Sequence, residues 1–552
     1  MDDSRAGSTE DATVRTDGGS EATTEGGPAV PDPGSGSVEY GMDDKPPIEQ
    51  SILLGFQHYL TMIGSNIAVP LVLAGAMGMP ADATARLVGT FFVVSGVATL
   101  AQTTIGNRYP LVQGASFAIL APALAIIGVL RASGAGWETM IVELQGAMIV
   151  AGFAQVVIGY LGLFGRLKRY LSPVVIAPVI ALVGLALFDV PQITNPETQS
   201  LWLFLLTLGL IIGCSQYLSE YSSTLRLYPV LIGLAGAWLF AAVLSVGGVI
   251  EPTSNAYVDL SGISDVALVQ PIVPFQWGMP QFTSSFVIGI FAGVLASMVE
   301  SFGDYYAVAR ISEERAPSGK RINHGLAMEG FGNVFAGIMG TGNGSTSYSE
   351  NIGAIGITGV ASRFVVQVGA VVMLIAGFVG VVGAVVTTIP DPIVGGLFVV
   401  MFAQIIGIGL SQLQYVDLNE NRNVFIVGTT LLSGLSIPTL IENFAGGEGA
   451  AAIESALAGV AVVGPALEAI GAVPYLGTVV GLEPVAQIVF VIGTTGIAVG
   501  GIVGFVLDIT IPGSRESRGL TEWDDLTEAD SEFTAAHERF RADDSGPEPS
   551  DD

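Results

Sequence analysis

Fourteen largely apolar stretches, most of them near 20 residues long, leave this chain little choice of solvent. Seven fall near 51–75, 85–106, 112–130, 140–163, 171–188, 200–218 and 227–247. Seven more fall near 283–308, 322–340, 350–361, 363–388, 391–412, 423–443 and 485–509. A helix needs about 20 apolar residues to cross the hydrocarbon of a bilayer. Only 12% of the 552 residues are charged and 50% are hydrophobic, against about 25% charged in a soluble domain. In lipid every backbone polar group must find a partner within the protein, so spans of this kind are helices. The chain reads as an all-α polytopic membrane protein.

The charges that remain are unevenly placed. The formal net charge is −29, with −9 in residues 1–50 and −9 in residues 513–552. Residues 1–49 and 511–552 read as disordered acidic tails, and the first 50 residues lack the basic start and apolar run of a signal peptide. A halophilic, high-salt setting would explain such acidity, which also argues against nucleic acid as a partner. Between the spans, Arg108, Arg166, Lys168, Arg169, Arg226, Arg310, Arg315, Lys320, Arg321, Arg363 and Arg422 share one side, leaving Arg86 and Arg131 on the other. By the bias of basic loops toward the cytoplasm, both tails are expected inside, at a cell membrane crossed many times. Cys214 lies alone in an apolar run and reads as a buried thiol.

Seven spans plus seven is an inverted arrangement, because an odd number flips the second half. Residues 50–247 form the first repeat and 283–510 the second. The Pro-containing stretch 248–282 is an external linker, and 444–484 a second external loop with a partly buried amphipathic helix. Two spans are poor helices: "YPLVQGASFAILAP" (109–122), the third, and "SYSENIGAIGIT" (347–358), the tenth. Paired broken segments in two halves point to a transport site at mid-membrane.

The acids sharpen that reading. Around the tenth span, "GTGNGSTSYSENIGAIGITG" (340–359) contains twelve Gly, Ser or Thr residues, no Lys or Arg, and one acid, Glu350. Glu300 and Asp304 lie one helical turn apart in "VLASMVESFGDYYAV", and Glu329 sits in "GLAMEGFGN" of the next span. A charged residue at the bilayer centre costs about 2.5–3.5 kcal/mol on insertion scales. No basic residue in these spans offsets that cost, which leaves proton uptake, a bound cation or ligand donors. A structural reading also stands: Glu329 could pin one helix to another, and Asp304 lies nearer a loop. In the third span, Gln113 and Ser116 are donors, Phe117 is a flat ring, and Gly114 permits close backbone approach. His58, in "GFQHYL", is either a hydrogen-bonded structural residue or a proton handler.

At these positions the sequence resembles the nucleobase–ascorbate transporter family, also called nucleobase:cation symporter family 2. The residues are Glu350-Asn351-Ile352-Gly353, four residues, then Thr358-Gly359; "QGASF" at 113–117; and Gln57-His58. The resemblance spans residues 50–510. It implies fourteen spans, with a core of spans 1–4 and 8–11 and a gate of spans 5–7 and 12–14. It also implies that the broken spans meet as short antiparallel strands. It assigns substrate contacts to Glu300, Glu350, Ser349 and Phe117, with Gln113, Asn351 and His58 orienting them. Asp304 and Ser116 join the substrate candidates, and Glu300 and Glu329 the candidates for proton coupling. An acid at 350 matches uracil-type members, whereas Asp304 matches xanthine and urate carriers. The expected function is nucleobase import, uracil first, by H⁺ symport through alternating access, with Na⁺ open as the coupling ion. No other cofactor and no metal is expected, and the resemblance suggests a homodimer.

Rival classes fit less well. An anion carrier or channel of the same architecture would meet several acids. A membrane enzyme would need a motif such as HExxH or a nucleophile elbow, and the spans hold neither; His324 and His537 lie in a loop and a tail.

Overall fold

The computed structural model describes residues 38–162, 172–188, 190–195, 199–446, 449–473, 480–520, 529–535 and 538–539. Residues 1–37 of the tail expected over 1–49, most of the tail expected over 511–552 including His537, and the bases Arg166, Lys168 and Arg169 lie outside these residues.

The first half runs as α1 (Ile48–Met77), α2 (Ala81–Thr104), strand β1 (Gln113–Ala115), α3 (Phe117–Ala132), α4 (Trp137–Tyr160), α5 (Pro173–Leu185), α6 (Leu201–Ile212) and α7 (Pro229–Val246). The second runs as α8 (Ser284–Ile311), α9 (Gly319–Met339), strand β2 (Ser345–Ser347), α10 (Ser349–Thr358), α11 (Arg363–Phe378), α12 (Asp391–Ser411), α13 (Asn421–Ala445), α14 (Leu482–Thr494) and α15 (Gly496–Thr510). Among the described residues, seven helices are long and apolar enough to cross a membrane, or nine if two bent pairs each count as one span. Helix length thus yields fewer spans than the fourteen apolar runs. Part of the difference is physical: the third and tenth runs are half-helices completed by a strand. The run expected as one span over 485–509 is α14 and α15, bent by 88° at Thr495. In the loop expected over 444–484, helices Ala450–Ala458 and Val463–Gly471 meet at 111°.

Helix packing falls into two groups. In one, α1, α2 and α11 pack together, α4 packs on α9, and α8 packs on α3 and α4. In the other, α5, α6, α7, α12, α13 and α15 pack on one another. Glycines let the first group come close: a Cβ on Gly55 of α1 would lie 2.6 Å from Gly369 N and Val365 O of α11. Small residues at such crossings are how helices associate in lipid, where no hydrophobic force drives them together.

Four of the described bases fall at the two ends of the helices. Arg363 Nε binds Asp43 Oδ1 at 2.5 Å and Arg310 Nη1 donates to Tyr415 Oη at 3.2 Å, both at the end where α8 stops and α11 starts. Arg131 donates to Ala76 O, and the Arg86 guanidinium lies 5.6 Å from the Trp277 ring, both at the opposite end. The 248–282 linker covers that opposite end, where Trp277 Nε1 donates to Gly340 O at 2.8 Å and Gln281 N to Val142 O at 3.0 Å.

Candidate functional site

The two broken spans meet through a two-stranded antiparallel sheet, with Gln113 opposite Ser347, Gly114 opposite Thr346 and Ala115 opposite Ser345. So short a pair needs help from side chains, and the surrounding helices supply it. Thr99 Oγ1 of α2 accepts from Gln113 N at 2.9 Å, and Ser95 Oγ donates to Gln113 O. Asn66 Oδ1 of α1 accepts from Ala115 N at 3.2 Å, and Asn333 Oδ1 of α9 accepts from Ser345 N at 2.6 Å. Asn343 holds Ser116 at both backbone atoms, at 2.9 and 3.0 Å. Backbone that leaves the helix inside a membrane is tolerated only when it is satisfied in this way.

From the strand pair the half-helices diverge. α3 runs toward the Arg131 end, and α10 runs toward Gly359 and the Arg363 end. Neither starts with a side-chain cap on its backbone. Helix starts of this kind present first-turn N–H groups that a ligand can use.

These helix starts face a cavity of about 230 Å³, lined by Phe117, Tyr348, Ser349, Glu350 and Ile352. α8 contributes Glu300, Gly303, Asp304 and Ala307; α5 contributes Ile180; α12 and its end contribute Ile405, Ile408, Ser411 and Gln412. The volume is below the roughly 300–1,000 Å³ of drug-sized sites, which suits a small solute. No Lys or Arg is among these lining residues.

Five of the expected residues thus share one wall: Glu300, Asp304, Phe117, Ser349 and Glu350. Their i, i+4 spacing aims Glu300 and Asp304 the same way. Glu300 Oε2 and Asp304 Oδ2 are buried without a hydrogen-bond partner among the described residues. Asp304 Oδ1 accepts from Ser349 Oγ at 2.6 Å, tying α8 to the first turn of α10. The Phe117 ring stands edge-on to Phe402 of α12, with centroids 5.7 Å apart.

The others stand behind that wall. Ser116 is fully buried and outside the lining residues, its Oγ unpartnered among the described residues. Gln113 Nε2 donates to Ser347 Oγ at 3.0 Å, and Ser347 Oγ donates to Glu329 Oε1 at 2.7 Å. Tyr305 Oη also donates to Glu329 Oε1, at 2.8 Å, while Oε2 has no partner among the described residues. Asn351 Oδ1 accepts from Val112 N at 2.7 Å, and Asn351 Nδ2 lies 3.3 Å from His58 Nδ1.

Sequence reasoning missed Asn66, Asn333 and Asn343, although "GTGNGST" already showed a polar residue in the break. It also missed the far wall of Ile180, Ile405, Ile408, Ser411 and Gln412. Apolar residues on a long apolar helix give no sign of facing a cavity rather than a neighbour.

Residues 49–443 match the family described as the Permease family (Xan_ur_permease). Over 535 residues the chain is 38% identical to the mouse protein "Solute carrier family 23 member 2", covering 89% of this chain and 77% of that one. It is 32% identical over 523 residues to "Nucleobase-ascorbate transporter 11" of Arabidopsis thaliana, covering 88% and 71%. In fold it is similar to the transmembrane domain of a cyanobacterium bicarbonate transporter, BicA, with a TM-score of 0.51 and 16% identity over 71% of this chain and 97% of that one.

Proposed function

The chain belongs to the nucleobase–ascorbate transporter family, so it is a multi-pass membrane transporter of small molecules rather than an enzyme, and from that membership we propose that it imports a nucleobase, uracil first, by symport with H⁺. One observation carries the choice of solute: Glu300, Asp304 and Glu350 converge with two uncapped half-helix starts on one small cavity without a basic residue. A planar ring that alternates N–H and C=O groups matches both halves of that lining. Its N–H groups meet carboxyl oxygens, and its carbonyls meet the first-turn N–H groups of α3 and α10. An anion such as bicarbonate would meet three acids instead.

Coupling follows from cost. Carboxylates without a counter-ion are expensive at mid-membrane, so a proton on Glu300 would let the loaded site move. Glu329, linked to the sheet through Ser347, lies one helix away to share it. We take α1–α4 with α8–α11 as the moving core and α5–α7 with α12–α15 as the gate. The protein would lie in the plasma membrane, termini inside, as a homodimer.

The test is uptake of radiolabelled uracil, xanthine and urate into proteoliposomes, with an imposed pH gradient and, separately, a Na⁺ gradient. Accumulation of uracil driven by the pH gradient alone is the expected result. Xanthine in preference to uracil, or dependence on Na⁺, would overturn the solute or the ion respectively. Uptake of bicarbonate with none of the bases would overturn the whole reading.

A further inference from the structure

Beyond the last helix the chain is acidic, yet its described parts are packed onto both helix groups. Residues 511–520 are fixed to α13 and α15. Asp508, whose side chain is fully buried, pairs with Arg422 Nη2 at 2.7 Å and Arg518 Nη2 at 2.6 Å. Ser172 Oγ adds a bond to Asp508 Oδ2 at 2.8 Å. Asn423 Nδ2 donates to Ser517 O at 2.7 Å, and Gly519 lies against the Tyr415 carbonyl.

Residues 529–535 and 538–539 hold the other group, at the loop that joins α8 to α9. Arg315 Nη1 pairs with Glu532 at 3.0 Å and Lys320 Nζ with Glu538 at 2.8 Å. Lys320 N donates to Asp530 Oδ1 at 2.9 Å, and Arg539 Nη2 to Thr104 O of α2 at 3.0 Å. Phe533 is 1% exposed, with the Arg321 guanidinium 5.0 Å from its ring and 4.7 Å from that of Tyr109. Arg108 there lies among cations: burial first, then Arg363, Arg539 of the segment itself and Arg321 lower it to about 10, and Asp43 offsets this in part.

This end of the molecule is also where the cavity runs out, at Ala307, Ser411 and Gln412. Beside it, Arg310 Nη1 of one group donates to Tyr415 Oη of the other at 3.2 Å. The C-terminal segment brackets that bond. Gly519 supports Tyr415 on one side, and Glu532 engages Arg315, five residues past Arg310, on the other.

We propose that the C-terminal segment, anchored on one helix group through residues 511–520 and on the other through 529–535 and 538–539, is a latch beside this mouth that releases from the α8–α9 loop when the two groups move past each other, so that its ion pairs slow the transport cycle. The inference rests on the chain being a transporter, not on uracil as its solute. The segment docks intramolecularly, so pairs that are individually weak on a surface act at high effective concentration.

The test uses the full chain in proteoliposomes. Charge reversal at both acids, Glu532→Lys with Glu538→Lys, is expected to raise the maximal uptake rate severalfold with KM unchanged. Adding Arg315→Glu and Lys320→Glu restores opposite charges and should return the rate to that of the unaltered chain. In a Cys214→Ala background, Arg315→Cys with Glu532→Cys, positions whose native side chains touch and are 70% and 46% exposed, joined by a short bifunctional maleimide should stop turnover. Cross-linked protein that turns over as fast as the unlinked protein, or reversal without any gain in rate, would overturn the latch. Should neither uracil nor xanthine enter with the unaltered chain, the solute reading fails instead. The latch is then read without solute, as faster hydrogen exchange at residues 300–311 and 405–415 in the reversed protein, and unchanged exchange there would sink it.

Discussion

Glu300 and Asp304 sit one turn apart but are held differently. Asp304 spends one oxygen on Ser349, whereas no hydrogen bond to the described residues engages the Glu300 side chain, whose Oε2 is buried. Under the proposed H⁺ coupling, Glu300 is the freer of the two to take up the proton. Glu300→Gln keeps the shape and a hydrogen-bonding end but cannot titrate. It should abolish accumulation driven by a pH gradient while exchange of labelled for unlabelled solute continues. Accumulation that persists would move coupling to another acid. Ser349→Ala leaves Asp304 Oδ1 without its donor, at a cost of about 1–3 kcal/mol for a buried group. If that cost falls on substrate binding, KM should rise about tenfold, since 1.4 kcal/mol is a factor of ten. A change in maximal rate alone would place Ser349 in the motion instead.

The helices and their breaks were legible because lipid imposes simple rules on length and polarity. "QGASF" and "GTGNGSTSYSENIG" stood out as polar interruptions, and they do form the strand pair. The 88° bend at Thr495 was not read, because "VIGTTGIAVG" has no charge and no proline, although Gly493, Thr494, Thr495 and Gly496 interrupt it. Nor was the role of Asp508, which lies at the very end of an apolar run and looks like the start of a tail until its two arginines fold back on it. Three predictions belong to these elements. A Cβ on Gly114 would collide with the Tyr348 ring and come within 2.8 Å of Asn66 Oδ1, so Gly114→Val should separate the strands and abolish transport. Gly128, in the same broken span, faces open space. Gly128→Ala should keep full uptake and unfold at the same temperature or slightly above it. Asp508→Asn removes the shared partner of two half-buried arginines. Breaking such a buried pair costs about 3–5 kcal/mol, which should appear as a clear drop in the thermal unfolding midpoint in detergent.

Over the whole molecule, charge is sorted by depth and by end. The chain carries −29 overall, but its bases gather where the acidic C-terminal segment lands. The two attachments of that segment differ in exposure. The side chains of Arg315 and Glu532 are 70% and 46% exposed, whereas those of Arg422 and Asp508 are 8% and 0% exposed. Salt screens the first pair far more than the second, because the Debye length shrinks from about 10 Å at 0.1 M to about 3 Å at 1 M, while buried pairs keep their low-dielectric surroundings. Raising salt over that range should therefore free residues 529–539 and leave 511–520 in place. Hydrogen exchange in lipid nanodiscs reads this directly. Amide exchange should speed up severalfold across 529–539 and stay constant across 511–520, and the uptake rate should climb over the same salt interval. Equal loss of protection in both segments would mean that they detach as one unit, with the buried arginines giving no separate anchor. No change in either would mean that apolar contact through Phe533, rather than charge, holds the segment down.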